Sequence, residues 1–380
     1  MQMVRIEEWS LPHARSEIAE MRRRLMQTRF PSSTYSGWNG GIDIGFLRRF
    51  TEFLAEEYSW ETDSRRFGGH HLMAYVPADD ASGELAVHVN LPFGVVADAQ
   101  PLAILHGWPS SSFEFVHVVE HLRGKPVFPI LVDLPGFGFS GPTPKPTGPR
   151  SIATVLSNVF ADGLGLRDIV VHGNDWGSTV ACWLAIDHPK LLRGIHLSMM
   201  GLRPMFGQET PRPSHAETVW INTVQKRLAA DAGYREIQST KPNTAVVGLV
   251  DSPAALAAWL VEKFHTWSGG ESSAEPPVAV ADLAALVTGY WLSGNIASAN
   301  WIYAAARAHD DTLAPAGATG DLPVSFSLFG NGFFPPPPES WARRIHNVVD
   351  YTVHESGGHF PALTRPVALA NDLQRFCAAF

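Results

Sequence analysis

Val170-Val171-His172-Gly173-Asn174-Asp175-Trp176-Gly177-Ser178 is the stretch whose reading decides the fold. The apolar run from Ile169 to Val171, with Leu166 before it, reads as a central parallel strand, and Thr179 to Ala185 continues as a buried helix. Gly173 and Gly177 flank the joint. They give a strand-to-helix turn the backbone freedom and close packing of a nucleophile elbow, usually written GxSxG. The serine slot holds Asp175. A carboxylate needs no base to activate it. It attacks an electrophilic sp3 carbon, as in an epoxide or alkyl halide, and leaves an ester that water must cleave. A serine-type esterase therefore does not fit. The plainer reading makes Asp175 only the cap of the following helix, a task aspartate does well; partners elsewhere in the chain weigh against it.

The composition narrows the rest. The chain has 380 residues, a hydrophobic fraction of 45%, a charged fraction of 17% and a formal net charge of −8. At roughly 100–200 residues per domain this suggests two domains or one large α/β unit. The balance argues against disorder and offers nucleic acid no basic field, so the expected partner is small and weakly charged. Cys182 and Cys377 lie far apart and beside no metal-spaced His or Cys. Disulfide scaffolding and structural zinc both read poorly, no cofactor is called for, and a reducing, cytoplasmic setting is expected. The N-terminal residues lack the h-region of a signal peptide. No apolar stretch reaches the ~20 residues that span a bilayer, so no membrane anchor is expected.

Along the chain, residues 1 to about 80 form an N-terminal segment. Pro12 to Met26 carries Ile18, Met21 and Leu25 at helical spacing, with Arg22, Arg23 and Arg24 near its end as a solvated face. Pro31, Ser32, Ser33, Gly37, Gly40 and Gly41 mark a meander, and Phe46 to Tyr58 a second amphipathic helix. Strand patterns follow at 71–76, 85–90 and 102–105. The last runs into His106-Gly107-Trp108-Pro109, where a loop at a strand's carboxyl end suits the lending of a backbone amide to an anion, with a cis Trp108–Pro109 bond. The amides of Trp108 and Trp176 are the expected oxyanion hole; the plainer reading is a turn with Trp108 as packing. Another strand, 127–132, ends in the glycine-rich 133–141. A phosphate cradle does not fit there, because no Lys-Ser/Thr follows. After the strand 195–200 the sequence turns helical and aromatic from about 204 to 314. Strand alternation resumes at Val324, Phe326 and Leu328. Such an insertion over the carboxyl edge of an open sheet would close a pocket.

HGWPSSSFEF from 106, DLPGFGFSGP from 133, HGNDWGS from 172 and ESGGHFPALTRP from 355 together resemble the α/β-hydrolase epoxide hydrolases. RFPSSTYSGW, EEYSWE and GGHHLMAYV resemble the N-terminal segment of that family's microsomal-type branch, and DSPAALAAWLVEKFHTW and YWLSGNIASANWIY its lid. The resemblance covers nearly the whole chain. It implies an α/β-hydrolase fold with an eight-stranded, mostly parallel sheet. The N-terminal meander would take residues 1–80, the core 81–203 and 315–380, and a helical cap 204–314 would follow the sixth strand. It also implies two cap tyrosines that donate hydrogen bonds to the epoxide oxygen, which by position are Tyr234 and Tyr303. Phenols suit that task, because the opening ring yields an alkoxide that needs a proton. Packed aromatics with satisfied hydroxyls are the plainer reading. His359, between glycines after the last strand, stands in the family's order as the base that activates water against the Asp175 ester.

The chain departs from the family at the third member of the triad. The acid should follow the strand ending at Phe329, in the pattern aromatic, Pro, any residue, Asp or Glu. The chain reads Phe329-Gly330-Asn331-Gly332-Phe333-Phe334, then four prolines and Glu339. Losing the acid costs a serine triad about 10⁴ in rate. Asn331 is the favoured substitute, as an amide that orients the His359 ring. Glu339 is held roughly 20 Å of extended chain away if the prolines run at ~3.1 Å per residue. Asp321 is a further candidate, and weak or lost hydrolysis the remaining one. Asn174, where the family often has glycine, receives no role. The leading reading is an epoxide hydrolase for a small hydrophobic epoxide. Its alternatives are an acid-deficient relative that opens or binds an epoxide-like ligand in a biosynthetic pathway, and a haloalkane dehalogenase. Whether the chain forms a homodimer is left open.

Overall fold

The chain is built on one twisted sheet of strands β1 (Arg5–Glu8), β2 (His70–Pro77), β3 (Glu84–Leu91), β4 (Gln100–Leu105), β5 (Val127–Val132), β6 (Ile169–Gly173), β7 (Leu192–Leu197), β8 (Pro323–Phe329) and β9 (Asn347–His354). Their order is β1-β2-β3-β5-β4-β6-β7-β8-β9. The pairs β1/β2, β2/β3 and β3/β5 are antiparallel and the others parallel. This is the α/β-hydrolase fold. The computed structural model describes every residue except 1–3, 13, 33–34, 78–82, 95, 207–210, 271–272 and 315–316. Ser33 of the meander, and the boundaries expected at 80, 81 and 315, lie outside the described residues.

Unbroken apolar runs mark the central strands because helices cover both faces of a parallel sheet. Leu102 to Leu105 of β4 and Ile169 to Val171 of β6 are fully buried. The eight expected strands are β2 to β9, and β1 is a ninth at the edge. Its sequence, Arg-Ile-Glu-Glu, is short, polar and largely exposed, so it carries no period-two signal. Residues 1–80 therefore do more than pack on the core: β1 and β2 belong to its sheet.

The N-terminal helices are α1 (Arg15–Met26), α2 (Ile44–Glu56) and α3 (Trp60–Arg66). The core adds α4 (Val116–Leu122), α5 (Pro149–Asn158) and α6 (Trp176–Asp187), and β7 and β8 are separated by α7 (His215–Ala230), α8 (Gly233–Thr240), α9 (Pro242–Asp251), α10 (Pro253–Trp267), α11 (Val280–Ser293) and α12 (Ile296–His309). Ser214 and Glu217 form a capping box that starts α7. Glu217 also pairs with Arg344 at 2.8 Å, and that hydrogen bond, ahead of the burial that opposes it, holds its carboxyl down to about 2. Among the described residues no single helix is long and apolar enough to cross a membrane. The pair α9 and α10 meets that length only together, with a bend of 119° between them.

The basic cluster of α1 is more than a solvated face. Arg24 pairs with Asp251 of α9 at 2.7 Å, and half-buried Arg22 donates to the Tyr58 carbonyl at 2.8 Å. Trp38 of the meander stacks on His265 of α10 with ring centroids 3.7 Å apart. The N-terminal segment thus clamps the inserted helices to the sheet.

Candidate active site

Asp175 stands between β6 and α6 with φ 50° and ψ −126°. A non-glycine residue held there costs about 1–3 kcal/mol, so the surroundings must enforce it. They do so by leaving no room. A Cβ on Gly173 would lie 2.3 Å from the Gly177 carbonyl oxygen, and one on Gly177 would lie 2.2 Å from the Leu105 carbonyl oxygen. Ser178 Oγ donates to the Gly173 carbonyl at 2.7 Å and closes the turn. The Asp175 side chain makes no capping bond to α6. The strained backbone points the carboxylate elsewhere, which removes the helix-cap reading.

That carboxylate meets two groups. Oδ1 accepts from the Trp108 amide at 2.8 Å, and Oδ2 lies 3.2 Å from His359 Nε2. The second approach is too far off-axis to be a hydrogen bond, so the imidazole keeps a nitrogen uncommitted beside the carboxylate. The Trp176 amide borders the same point. A Cβ on Gly107 would lie 2.2 Å from Asp175 Oδ1 and 2.6 Å from Trp176 N, so only glycine fits at 107. The Trp108–Pro109 bond is cis. Trp108 Nε1 donates to Asn300 at 2.8 Å and Tyr290 Oη to the Ser110 carbonyl at 2.7 Å, so α11 and α12 hold the loop from above.

Tyr234 of α8 and Tyr303 of α12 complete an aromatic box over Asp175. Tyr234 stacks on Trp108 at 5.1 Å between centroids, Tyr303 meets Trp176 edge-on at 5.0 Å, and the two phenols are 5.7 Å apart. Burial first, then neighbouring charge that includes Asp175, pushes both phenols well above their ordinary range. Both therefore keep their protons at neutral pH and remain donors.

His359 is fixed by its backbone. Its amide donates to the Trp267 carbonyl at 2.9 Å, and its carbonyl accepts from Asn174 Nδ2 at 2.8 Å. Asn174, which had no sequence-derived role, ties the elbow to the histidine loop. Glu114 was missed altogether. It is 1% exposed and its carboxyl is pushed up to about 8, chiefly by burial, with Asp175 adding to the rise and Ser110 and Asn174 opposing it. The only signal for it was a charged residue inside the aromatic run Phe113-Glu114-Phe115.

No acid joins the pair. Among the described residues, the only carboxylate within 4.0 Å of the His359 ring nitrogens is Asp175 itself. Asn331, the expected substitute, is exposed in a left-handed conformation at φ 55° and makes no hydrogen bond to His359, so that assignment is corrected. A glycine-rich turn carries its amide outward. Glu339 pairs with Arg343 at 2.6 Å, and Asp321 precedes β8 at the end of the sheet away from the site. Gly332 occupies the slot of the acid, and a Cβ there would lie 2.5 Å from Gly358 Cα and 2.8 Å from the Trp267 carbonyl. The Phe334 ring fills the space beside the imidazole, 5.0 Å from its centroid. The glycines of 136–141 serve another purpose. They wrap the chain around buried Asp133, which accepts from the amides of Ser112 and Phe139 at 2.8 and 2.9 Å, and a Cβ on Gly138 would strike its carboxylate at 2.2 Å.

Two families match the sequence: the alpha/beta hydrolase fold over residues 100–245 and the epoxide hydrolase N terminus over 6–115. A protein of Dothistroma septosporum whose name assigns it to the epoxide hydrolases is 30% identical over 361 residues, covering 91% of this chain and 82% of that one. Epoxide hydrolase 1 of Oryctolagus cuniculus is 26% identical, covering 95% of this chain and 86% of that one. The structure of Aspergillus niger epoxide hydrolase superposes with a TM-score of 0.81 at 25% identity, covering 99% of this chain and 96% of that one.

Proposed function

The chain belongs to the epoxide hydrolases of the α/β-hydrolase fold, and from that premise we propose that Asp175 opens an epoxide as its nucleophile while His359 drives hydrolysis of the resulting ester. The observation that carries this reading is the carboxylate at the elbow, with Oδ1 on the Trp108 amide and Oδ2 beside the uncommitted His359 Nε2. In the first half-reaction Asp175 Oδ2 attacks an oxirane carbon and the C–O bond breaks. Tyr234 and Tyr303 donate to the departing oxygen, and one phenol gives its proton to the alkoxide. In the second, water attacks the ester carbon and passes a proton to His359. The Trp108 and Trp176 amides support the oxyanion on Oδ1. Collapse expels the second oxygen of a vicinal diol, which takes the proton of the newly formed Asp175 carboxyl, and the His359 proton restores the phenol.

Paired phenols over the nucleophile favour an epoxide over an alkyl halide, because halide departure needs no proton. Mixing the protein with a styrene-oxide-type substrate and following intact mass tests the proposal. A transient adduct on Asp175 that decays to diol is the expected result. Halide release from an alkyl halide with no diol from any epoxide would overturn it. One observation favours slow second-half chemistry: among the described residues no carboxylate supports His359 from the far side. An adduct that decays more slowly than it forms is the result that goes with it.

A further inference from the structure

The structure places a cavity against His359. Its volume is about 170 Å³, and its walls include Ser198, Arg203, Trp220, Phe334, Gly358 and His359. That is far above the roughly 10–15 Å³ that admits one water. Asp175 is not among the residues that border it. His359 presents Nε2 to Asp175, so the edge turned to the cavity is the one that carries Nδ1. His359 is itself 5% exposed.

Among the described residues the lining is mostly apolar, with Arg203 as its one permanent charge, and it holds no Asp or Glu. Arg203 contacts Thr312 Oγ1 at 3.0 Å and has no carboxylate within 4.0 Å among the described residues. Ser198 Oγ is buried without a hydrogen-bond partner. During ester hydrolysis His359 becomes cationic, so the chamber then borders a second positive charge. His359 Nδ1 and the exposed Arg203 guanidinium border a space where no carboxylate stands among the described residues, and the buried Ser198 hydroxyl beside it is an unmet donor, which costs about 1–3 kcal/mol.

We propose that this cavity binds a carboxylate, from a small free acid or from the acid group of the substrate itself, and that the bound anion does for His359 what the missing triad acid does elsewhere. It accepts the Nδ1 proton as a hydrogen bond, fixes the tautomer that leaves Nε2 basic, and stabilises the imidazolium. It is neither consumed nor changed. The proton still travels from water to Nε2 and on to the phenolate. The inference rests on the roles given above to Asp175 and His359.

The test measures ester formation and ester decay separately, on the full chain, with a neutral aryl epoxide. Formate and acetate are titrated against chloride at matched ionic strength and against acetamide as a neutral shape control. The expected result is a saturable rise of about 10- to 1,000-fold in ester decay, with ester formation unmoved. Arg203→Gln should raise the half-saturating concentration about tenfold. A second arm compares an epoxide bearing a carboxylate with its amide. If only the acid-bearing epoxide turns over at least tenfold faster, the anion comes from the substrate. Phe334→Asp should supply a tethered carboxylate, quicken decay and abolish the response to formate; if it does not fold, the titrations on the natural chain still decide. An ester that forms but decays no faster with either carboxylate source than with chloride or the amide overturns this proposal alone. No ester with any epoxide overturns the assignment of Asp175, and the proposal with it.

Discussion

The elbow at 172–178 and the loop at 330–338 both stand at carboxyl ends of parallel strands, β6 and β8, with β7 between them, yet they are built to opposite standards. At the elbow His172, Asn174, Asp175 and Ser178 are buried, and the strained Asp175 is held by glycine contacts that leave no slack. In the loop Asn331 is exposed, Gly332 lies against Gly358 with no space for a side chain, and prolines line an open chamber. The difference teaches that the two half-reactions need not be equally supported. In the proposed mechanism, attack on an epoxide draws on the elbow and the phenols alone. In that proposal hydrolysis also draws on the far side of His359, where no carboxylate stands among the described residues.

Breaking the elbow should cost most. Asp175→Ala is expected to remove both adduct and diol, a loss of about 10⁴-fold or more, read by intact mass and product analysis; diol at near-natural rates would mean that the elbow is not the seat of the chemistry. His359→Gln should split the halves. The adduct should form at close to the natural rate and then persist, with turnover down about 10³-fold, and quench-flow would expose any loss in the first step that contradicts the division. Tyr234→Phe and Tyr303→Phe should each slow adduct formation about 10- to 100-fold while adduct decay stays unchanged.

Stability sharpens the same contrast. Glu114 lies beneath the elbow with a carboxyl near 8 in the folded chain and an ordinary value of 4.5. The folded form therefore holds a proton that the unfolded form releases, and stability falls as pH rises from about 4.5 to about 8. Glu114→Gln, which resembles the protonated acid, should flatten that fall and raise the melting temperature at pH 8 but not at pH 4.5. A melting temperature lowered equally at both values would refute the buried-proton account. Near the other region, Glu217 titrates in the opposite sense. Its carboxyl lies at about 2 against an ordinary 4.5, so its pairing with Arg344 stabilises above pH 4.5 and is lost as pH falls toward 2. Glu217→Gln should lower stability slightly at pH 7 and not at pH 2, as followed by denaturant unfolding.

What was legible followed from how local each feature is. The elbow, the loop at Trp108 and the aliphatic strands announce themselves because a tight turn demands glycine and a covered strand demands an unbroken apolar run. Strand β1 stayed hidden because four polar residues at a sheet edge have no pattern to show. Asn174 was visible as an oddity, but its partner is the carbonyl of a residue far along the chain, and a backbone acceptor leaves no mark in a sequence.

The sequence by itself determined the fold class, the identity of the residue at the elbow and the lack of an acid in its usual slot, since each is a matter of residue type at fixed spacing. Only the tertiary structure decided that Asn331, Glu339 and Asp321 all stay away from His359, and that a cavity faces the imidazole instead. Those outcomes depend on where a turn aims its side chain and on how closely two glycine-bearing loops pack, and short-range contacts between distant segments are set by the packing of the whole.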